Sequence, residues 1–110
     1  MTRRVKKYLF DISYSIDAIL NNYLSAVDSL EQYEEDMMLQ DAVERRLIII
    51  GEALNKLQKM EVELATADRL INRRNTLAHQ YDDYNTETIW RSIHQDLPPL
   101  KIEVDSMLAS

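Results

Sequence analysis

The fold is decided by residues 37–59, MMLQDAVERRLIIIGEALNKLQK. Apolar side chains recur there at intervals of three and four residues, which is the period of an amphipathic α-helix. The members of this stripe are Val43, Leu47, Ile50, Leu54 and Leu57. The run from Leu47 to Ile50 is apolar around more than one face, as is typical of a helix at the centre of a bundle or one that also faces a second subunit. Gly51 follows directly, and its missing side chain lets another helix approach closely.

The same period continues on both sides of this segment. We predict a first helix over about 4–24 and, after it, a polar acidic connection with room for one short helical turn. A third helix is expected over roughly 64–78, with an inward stripe of Leu64, Ala67, Ile71 and Ala78. A connection at 82–85 follows, in which Asn85 or Thr86 would cap the last helix.

The apolar stripe of the last helix runs through Pro98-Pro99, where we expect a kink or a restart rather than an exit from the bundle. Its members are Ile89, Ile93, Leu97, Leu100, Val104, Met107 and Leu108. Residues 1–110 contain no internal repeat or low-complexity stretch, so we expect a single domain. The predicted fold class is an all-α, antiparallel bundle of four main helices with a possible extra short helix.

The composition is that of an ordinary soluble domain. Hydrophobic residues make up 45% and charged residues 29% of the chain, while one Gly and two Pro are too few for the turns of a β-rich fold. No apolar run approaches the roughly 18 residues of a membrane span. The absence of cysteine excludes disulfides and thiolate metal sites. No long apolar run follows the basic N-terminus, so we expect no signal peptide and a cytoplasmic protein.

The distribution of charge says more than the net charge of −6, which argues mildly against a broad surface that coats nucleic acid. Basic residues collect at the N-terminus and again near residue 70; they are Arg3, Arg4, Lys6, Lys7, Arg69, Arg73 and Arg74. Acidic residues collect between Asp28 and Glu44. This pattern fits a local basic cleft on an acidic body, and it fits equally well a set of solvated faces.

Residues that can carry chemistry are concentrated in residues 74–81, RNTLAHQY, which we call the octet. Arg74 can grip a phosphate bidentately and neutralise charge that builds on it during attack. His79, one of only two histidines, can remove the proton from a ribose 2′-hydroxyl or protonate the leaving 5′-oxygen, which is worth about 10²–10⁴-fold in rate. Tyr81 can hydrogen-bond a phosphate or stack on a base. The plainer interpretation is that Arg74 binds helix C-terminal carbonyls, while His79 and Tyr81 form a capping and packing pair.

The spacing within the octet constrains how its residues can work together. On a continuous helix, Arg74 and His79 would point about 140° away from each other. Either the helix ends near Ala78 and His79 swings round, or the pair is completed across a dimer interface by the same residues of a second subunit. Asn75 lies four residues before His79, so it can hydrogen-bond the imidazole and fix its tautomer.

The octet resembles the signature of the HEPN superfamily, in which an Arg and a polar residue precede a His after a short spacer. Arg74-Asn75 and His79-Gln80-Tyr81 are similar to the signature of one branch, the HepT-like toxins of HepT/MntA toxin–antitoxin modules. Three further stretches look like the second-helix and fourth-helix motifs of that branch; they are Ile48-Ile49-Ile50-Gly51-Glu52-Ala53, Ile89-Trp90 and Asp96-Leu97-Pro98-Pro99-Leu100. The resemblance covers most of the chain.

This resemblance implies a HEPN-like helical homodimer in which both octets line one cleft. It also implies metal-independent ribonuclease activity, toxic unless restrained, with Arg74 and His79 as the catalytic pair, Asn75 as the supporting polar residue, and no metal or other cofactor. The implied partner is an MntA-like nucleotidyltransferase antitoxin that modifies Tyr81 with AMP. The added phosphodiester would bring about one negative charge into a cleft built for the phosphates of a transfer or messenger RNA.

Two residues and one alternative function stay open at this point. Arg73 stands where the family pattern has a smaller or apolar residue, and it is either an RNA or antitoxin contact or, as we favour, a surface charge. Glu52 can reach the cleft or, as we prefer, form an ion pair with Arg46 or Lys56. The alternative function is a non-catalytic helical subunit that binds a nucleotidyltransferase and presents nucleotide or substrate to it. The intact Arg and His of the octet favour the enzyme.

Overall fold

The protein is a bundle of α-helices, as its sequence predicts. The computed structural model describes residues 1–79 and 85–110, apart from the side chains of Ala78 and His79. Its helices are α1 (Arg3–Asp17), which continues as a π-helical segment (Ala18–Tyr23), α2 (Leu30–Glu34), α3 (Met37–Lys59), α4 (Ala67–His79) and α5 (Thr86–Ala109). The described residues include no β-strand. The four main helices and the extra short helix, α2, are therefore confirmed.

Side-chain caps fix where the helices begin. The Thr2 hydroxyl accepts the Val5 N–H at 3.1 Å before α1, and the Asp36 carboxylate accepts the Leu39 N–H at 3.0 Å before α3. Asn85 caps α5, as predicted, because its side-chain oxygen accepts the backbone N–H of Thr88 at 3.1 Å. Each cap satisfies a donor that the first helical turn leaves without a partner, typically worth about 1 kcal/mol.

The end of α3 is a Schellman motif with an unusual residue. The Val62 N–H donates to the Leu57 carbonyl at 2.9 Å, and the Glu61 N–H donates to the Gln58 carbonyl at 3.1 Å. Glu61 adopts φ 63°, the left-handed conformation that favours glycine. The turn allows Val62 to pack against the core while the chain reverses toward α4.

The core forms where the apolar stripes of α1, α3 and α5 meet. Its completely buried members include Leu9, Ile12, Ile16, Leu47, Ile50, Leu54, Ile93, Leu97 and Leu100. Helix α3 lies at the centre, because it packs against α1, α2 and α4, while α5 closes the bundle against α1. Burying one such Leu or Ile contributes about 1.5–3 kcal/mol, so these stripes supply much of the driving force for the fold.

Helix α4 differs from its predicted form in its start and its inward face. It begins at Ala67 rather than near Leu64, although Leu64 is buried in the segment before it. Among the described side chains of α4, Ala67, Leu70 and Leu77 are buried, while Ile71 is half-buried and packs against the core. The predicted stripe is therefore confirmed at Leu64 and Ala67, and Ile71 contacts the core from a half-buried position. The prediction missed Leu70, the fully buried neighbour of Ile71, because the sequence alone did not decide between two adjacent apolar residues.

Helix α5 does not restart at Pro98-Pro99 but continues to Ala109. Both prolines are exposed, whereas the residues on either side of the pair, Leu97 and Leu100, are fully buried in the core. A proline removes the N–H that would bond the carbonyl four residues earlier. The carbonyls four residues before the two prolines belong to His94 and Gln95, which are both exposed. Water can therefore bond these carbonyls, and the helix tolerates both prolines.

A polar cluster joins α1 to α5 on the outside of the core. The Lys101 ammonium donates to Asp105 at 2.6 Å and to the Ser13 hydroxyl at 2.9 Å, and it lies 3.4 Å from Asp17. The Ser13 hydroxyl in turn donates to Asp105 at 2.7 Å. The hydrogen bond between Asp105 and Lys101 raises the pKa of Lys101 and lowers the pKa of Asp105. Both groups are therefore held in their charged forms.

Candidate active site

Arg74 occupies a core-facing position on α4 and packs on the one glycine of the chain. It lies four residues after Leu70 and three before Leu77, so it shares their face of the helix, opposite α3. A Cβ atom placed on Gly51 would overlap Arg74 Cβ and would lie 2.9 Å from Arg74 Cγ and 3.0 Å from the carbonyl oxygen of Leu70. Gly51 thus allows the close approach of helices that its sequence position predicts, and the residue seated against it is Arg74.

The guanidinium of Arg74 emerges from this packed position between two polar side chains. Nη1 donates to Asn75 Oδ1 at 2.8 Å, and Nη2 lies 3.7 Å from Glu52 Oε1. Nε is buried and has no hydrogen-bond acceptor within the described part of the chain. The Arg74 side chain is 30% exposed, so its aliphatic stem is held by the helices while its charged end reaches solvent.

Glu52 lies in the site, but its ion-pair partner differs from the prediction. The sequence predicts an ion pair with Arg46 or Lys56, whereas the structure pairs Glu52 with Arg74 across the α3–α4 contact. Arg46 instead donates to the Tyr23 hydroxyl at 3.3 Å and lies 5.2 Å from the centre of the Tyr14 ring. Because Glu52 follows Gly51 directly, the close contact that seats Arg74 also brings this carboxylate to it.

His79 is the last residue of α4, so positions 74 and 79 lie on one continuous helix. Helical geometry then places the two positions on faces about 140° apart. The His79 side chain lies outside the described part, as do Tyr81 and residues 82–84 of the connection predicted at 82–85. The predicted hydrogen bond from Asn75 to His79 therefore stays a prediction; the contact that the structure gives Asn75 is the one to Arg74.

A buried carboxylate, that of Asp96, links α5 to α4. Asp96 is 4% exposed, accepts a hydrogen bond from the Ser92 hydroxyl at 2.9 Å and lies 3.0 Å from Arg69 Nη2 on α4. Its position signals this role, because Asp96 falls three residues after Ile93 and four before Leu100 in the buried stripe. A charged residue at a core-facing position needs a partner, and Arg69 supplies it.

Arg73 is half-buried, and its Nε atom is shielded from solvent. The second histidine, His94, is exposed and packs against Trp90 with ring centres 4.3 Å apart. Within the described residues, no three Asp, Glu or His side chains are grouped to hold a metal ion.

An open groove runs between α1 and α3 toward Glu52. One part, about 410 Å³, is lined by Phe10, Asp11, Tyr14, Ser15, Arg46 and Ile49. A smaller part, about 180 Å³, shares Asp11 and Ile49 and continues to Glu52 with Lys7, Tyr8, Ala53 and Lys56. Phe10 and Tyr14 are 60% and 55% exposed, and their rings stack with centres 6.2 Å apart. We call this surface the α1/α3 groove.

Most of the chain matches one known protein family. The family model described as Ribonuclease HepT-like matches residues 15–107. The chain belongs to the HepT-like ribonuclease family. This confirms the resemblance drawn from the octet and the α3 and α5 motifs, and the fold agrees with it. No helix of the described chain is long and apolar enough to cross a membrane.

Relatives within the HepT-like family span the whole helical domain rather than the octet alone. A protein of Thermococcus cleftensis named probable ribonuclease HepT is 30% identical over 105 residues, which cover 92% of this chain and 93% of the relative. A protein of Methanocaldococcus jannaschii, provisionally named an RNase, is 29% identical over 109 residues, covering 96% of this chain and 92% of the relative. A second provisionally named RNase of that organism is 28% identical over 106 residues. No solved structure gives a significant match.

Proposed function

We propose that this HepT-like protein is a metal-independent endoribonuclease. The observation that carries the proposal is the seat of Arg74, whose stem is fixed against Gly51 and whose charged end reaches solvent beside Asn75. A guanidinium held in this way is prepared to bind the scissile phosphate and to stabilise the charge that develops on it. His79 takes the proton of the ribose 2′-hydroxyl as its oxygen bonds to phosphorus, and the same proton is returned to the 5′-oxygen of the next nucleotide, whose bond to phosphorus breaks. Asn75 supports the pair.

The active site in this proposal is shared by the two chains of a homodimer. Positions 74 and 79 lie on opposite sides of one helix, so two facing copies of α4 supply Arg74 from one chain and His79 from the other more readily than one chain supplies both. The α1/α3 groove supports such a dimer, since it exposes Phe10 and Tyr14 beside Ile49. Both acidic and basic side chains line the groove, so the same patch on a second copy can supply opposite charges to it.

The cellular role in this proposal is that of the toxin in a cytoplasmic toxin–antitoxin module. The partner is an MntA-like nucleotidyltransferase antitoxin that restrains the ribonuclease by transferring AMP to the phenolic oxygen of Tyr81. Tyr81 lies two residues after His79, so the added phosphodiester would place about one negative charge next to the position of an RNA phosphate. Family membership supports this role, and the residues of the octet supply the chemistry for it.

The test is RNA cleavage by the purified protein in the presence of a chelator. We expect fragments that end in a 2′,3′-cyclic phosphate, because the 2′-hydroxyl is the attacking group, and no cleavage where a 2′-deoxy nucleotide replaces the one that attacks. His79→Ala should abolish cleavage and growth arrest while the fold persists. A chain that binds a nucleotidyltransferase but leaves RNA intact would instead favour the non-catalytic subunit.

A further inference from the structure

Glu52 lies beside one of the two terminal nitrogens of the Arg74 guanidinium, Nη2. Nε is buried and Nη1 already donates to Asn75 at 2.8 Å, so Nη2 is the nitrogen most available to a ligand. Glu52 Oε1 lies 3.7 Å from that nitrogen. An anion that binds Nη2 therefore competes with the Glu52 carboxylate for that nitrogen.

The ion pair between Glu52 and Arg74 is weak enough to be displaced. A separation of 3.7 Å is longer than a hydrogen bond, and the side chains are 52% and 30% exposed. Exposed pairs of this kind contribute roughly 0–1 kcal/mol. A phosphate that reaches the same guanidinium forms shorter, charge-assisted hydrogen bonds. The carboxylate thus opposes phosphate binding without closing the site to it.

We propose that Glu52 is a displaceable counter-ion that competes with RNA phosphate for Arg74. This inference rests on the proposed ribonuclease function and names a regulator of its binding site. In the free protein the carboxylate neutralises the guanidinium, so phosphates in general gain little from binding there. An RNA that contacts the protein elsewhere brings its phosphate to Arg74 at high local concentration and displaces Glu52. The residue therefore limits indiscriminate binding of RNA to the active site.

The test measures binding of a 2′-O-methyl RNA oligonucleotide, which lacks the attacking hydroxyl and is not cleaved, over a series of salt concentrations. Glu52→Gln removes the competing charge and keeps the side chain's size, so its Kd should fall about two- to fivefold. The slope of log affinity against log salt should steepen by about 0.7, because one more phosphate contact is no longer offset by a local carboxylate.

Asp41→Asn is the matched control. It removes one negative charge from the same helix at an exposed position. Asp41 is separated from Glu52 by eleven residues, or about 16 Å along the helix. That distance exceeds the Debye length of about 8 Å at physiological salt, so the control should leave both Kd and slope near the wild-type values. In a protein that already carries Arg74→Gln, adding Glu52→Gln should not increase the affinity for RNA, because Glu52 acts on RNA binding through its contact with Arg74.

The outcomes separate this inference from the function on which it rests. Tighter binding and a steeper slope for Glu52→Gln, but not for Asp41→Asn, support the counter-ion. Two outcomes overturn the counter-ion role alone when the wild-type protein cleaves RNA. In one, Glu52→Gln binds RNA no more tightly than the wild type; in the other, Glu52→Gln and Asp41→Asn gain affinity equally. A wild-type protein that neither binds nor cleaves RNA overturns the proposed function and the counter-ion with it. Thermal unfolding checks the fold of each variant, and Glu52→Ala repeats the measurement if Glu52→Gln is unfolded.

Discussion

The substitution Gly51→Ala tests whether the close packing of Arg74 on Gly51 positions the Arg74 side chain. The new Cβ would overlap Arg74 Cβ and meet the Leu70 carbonyl oxygen at 3.0 Å. Neither atom sits on a flexible side-chain end, so relief requires helices α3 and α4 to separate by on the order of 1 Å, given normal carbon contacts of about 3.5–4.0 Å. Such overpacking costs about 1–3 kcal/mol. The intrinsic helix preference of Ala over Gly returns about 1 kcal/mol, which leaves a net loss of about 0–2 kcal/mol.

The effect on RNA cleavage should be much larger than the effect on stability. A 1 Å displacement of a group that positions substrate can cost about 10²-fold in rate. Urea unfolding and initial rates of RNA cleavage, measured on the same preparation, therefore give different results for this variant. Adding Arg74→Gly removes one of the overlapping atoms, so the double variant should lose less stability than the sum of the two single losses, while it remains inactive. A Gly51→Ala protein with wild-type stability and wild-type cleavage would refute the reasoning.

Three further substitutions test contacts elsewhere in the bundle. Asp96→Ala removes the buried partner of Arg69, and in urea unfolding it should lower stability by about 1–3 kcal/mol. Asp105→Asn breaks the cluster around Lys101 and should cost about 0.2–1 kcal/mol at neutral pH, since both groups are partly exposed. Because folding lowers the pKa of Asp105, this contribution should fade as pH falls through that pKa, and thermal unfolding of the variant and wild type should converge in acid. Glu61→Gly relieves a left-handed residue at φ 63° and should raise stability by about 0.5 kcal/mol; a loss would argue against strain there.

The helices were predictable where local signals agree. Helix α3 has the predicted bounds because Asp36 caps its start and its apolar stripe keeps one period to its end. Helix α4 was placed less well, because its core-facing row passes through Arg74, and an arginine is not counted as an inward residue. Asp96 is likewise a charged residue at a core-facing position, and charged residues are not counted as inward residues. Its spacing within the α5 stripe is the signal from which its burial could be predicted.

The residues of the candidate site can be proposed from the sequence, but the contacts of Arg74 cannot. Arg74, Asn75 and His79 stand out by their chemistry and by their resemblance to a family signature. The pairing of Arg74 with Glu52 depends on how closely α3 and α4 approach, and no spacing along the chain encodes that distance. Gly51 was recognised as a point of close approach, but the residue that packs on it follows from the three-dimensional arrangement.

The central claim is that Arg74 of one chain works with His79 of another, and mixing two inactive variants tests it most directly. Arg74→Gln and His79→Ala proteins are each expected to be inactive. When they are unfolded together and refolded as an equal mixture, half of the dimers carry one of each chain, and each mixed dimer has one complete site. Cleavage of RNA should then recover to roughly a quarter of the wild-type rate, as expected for two equivalent sites in a symmetric dimer. A mixture that forms mixed dimers yet stays inactive would contradict the shared site.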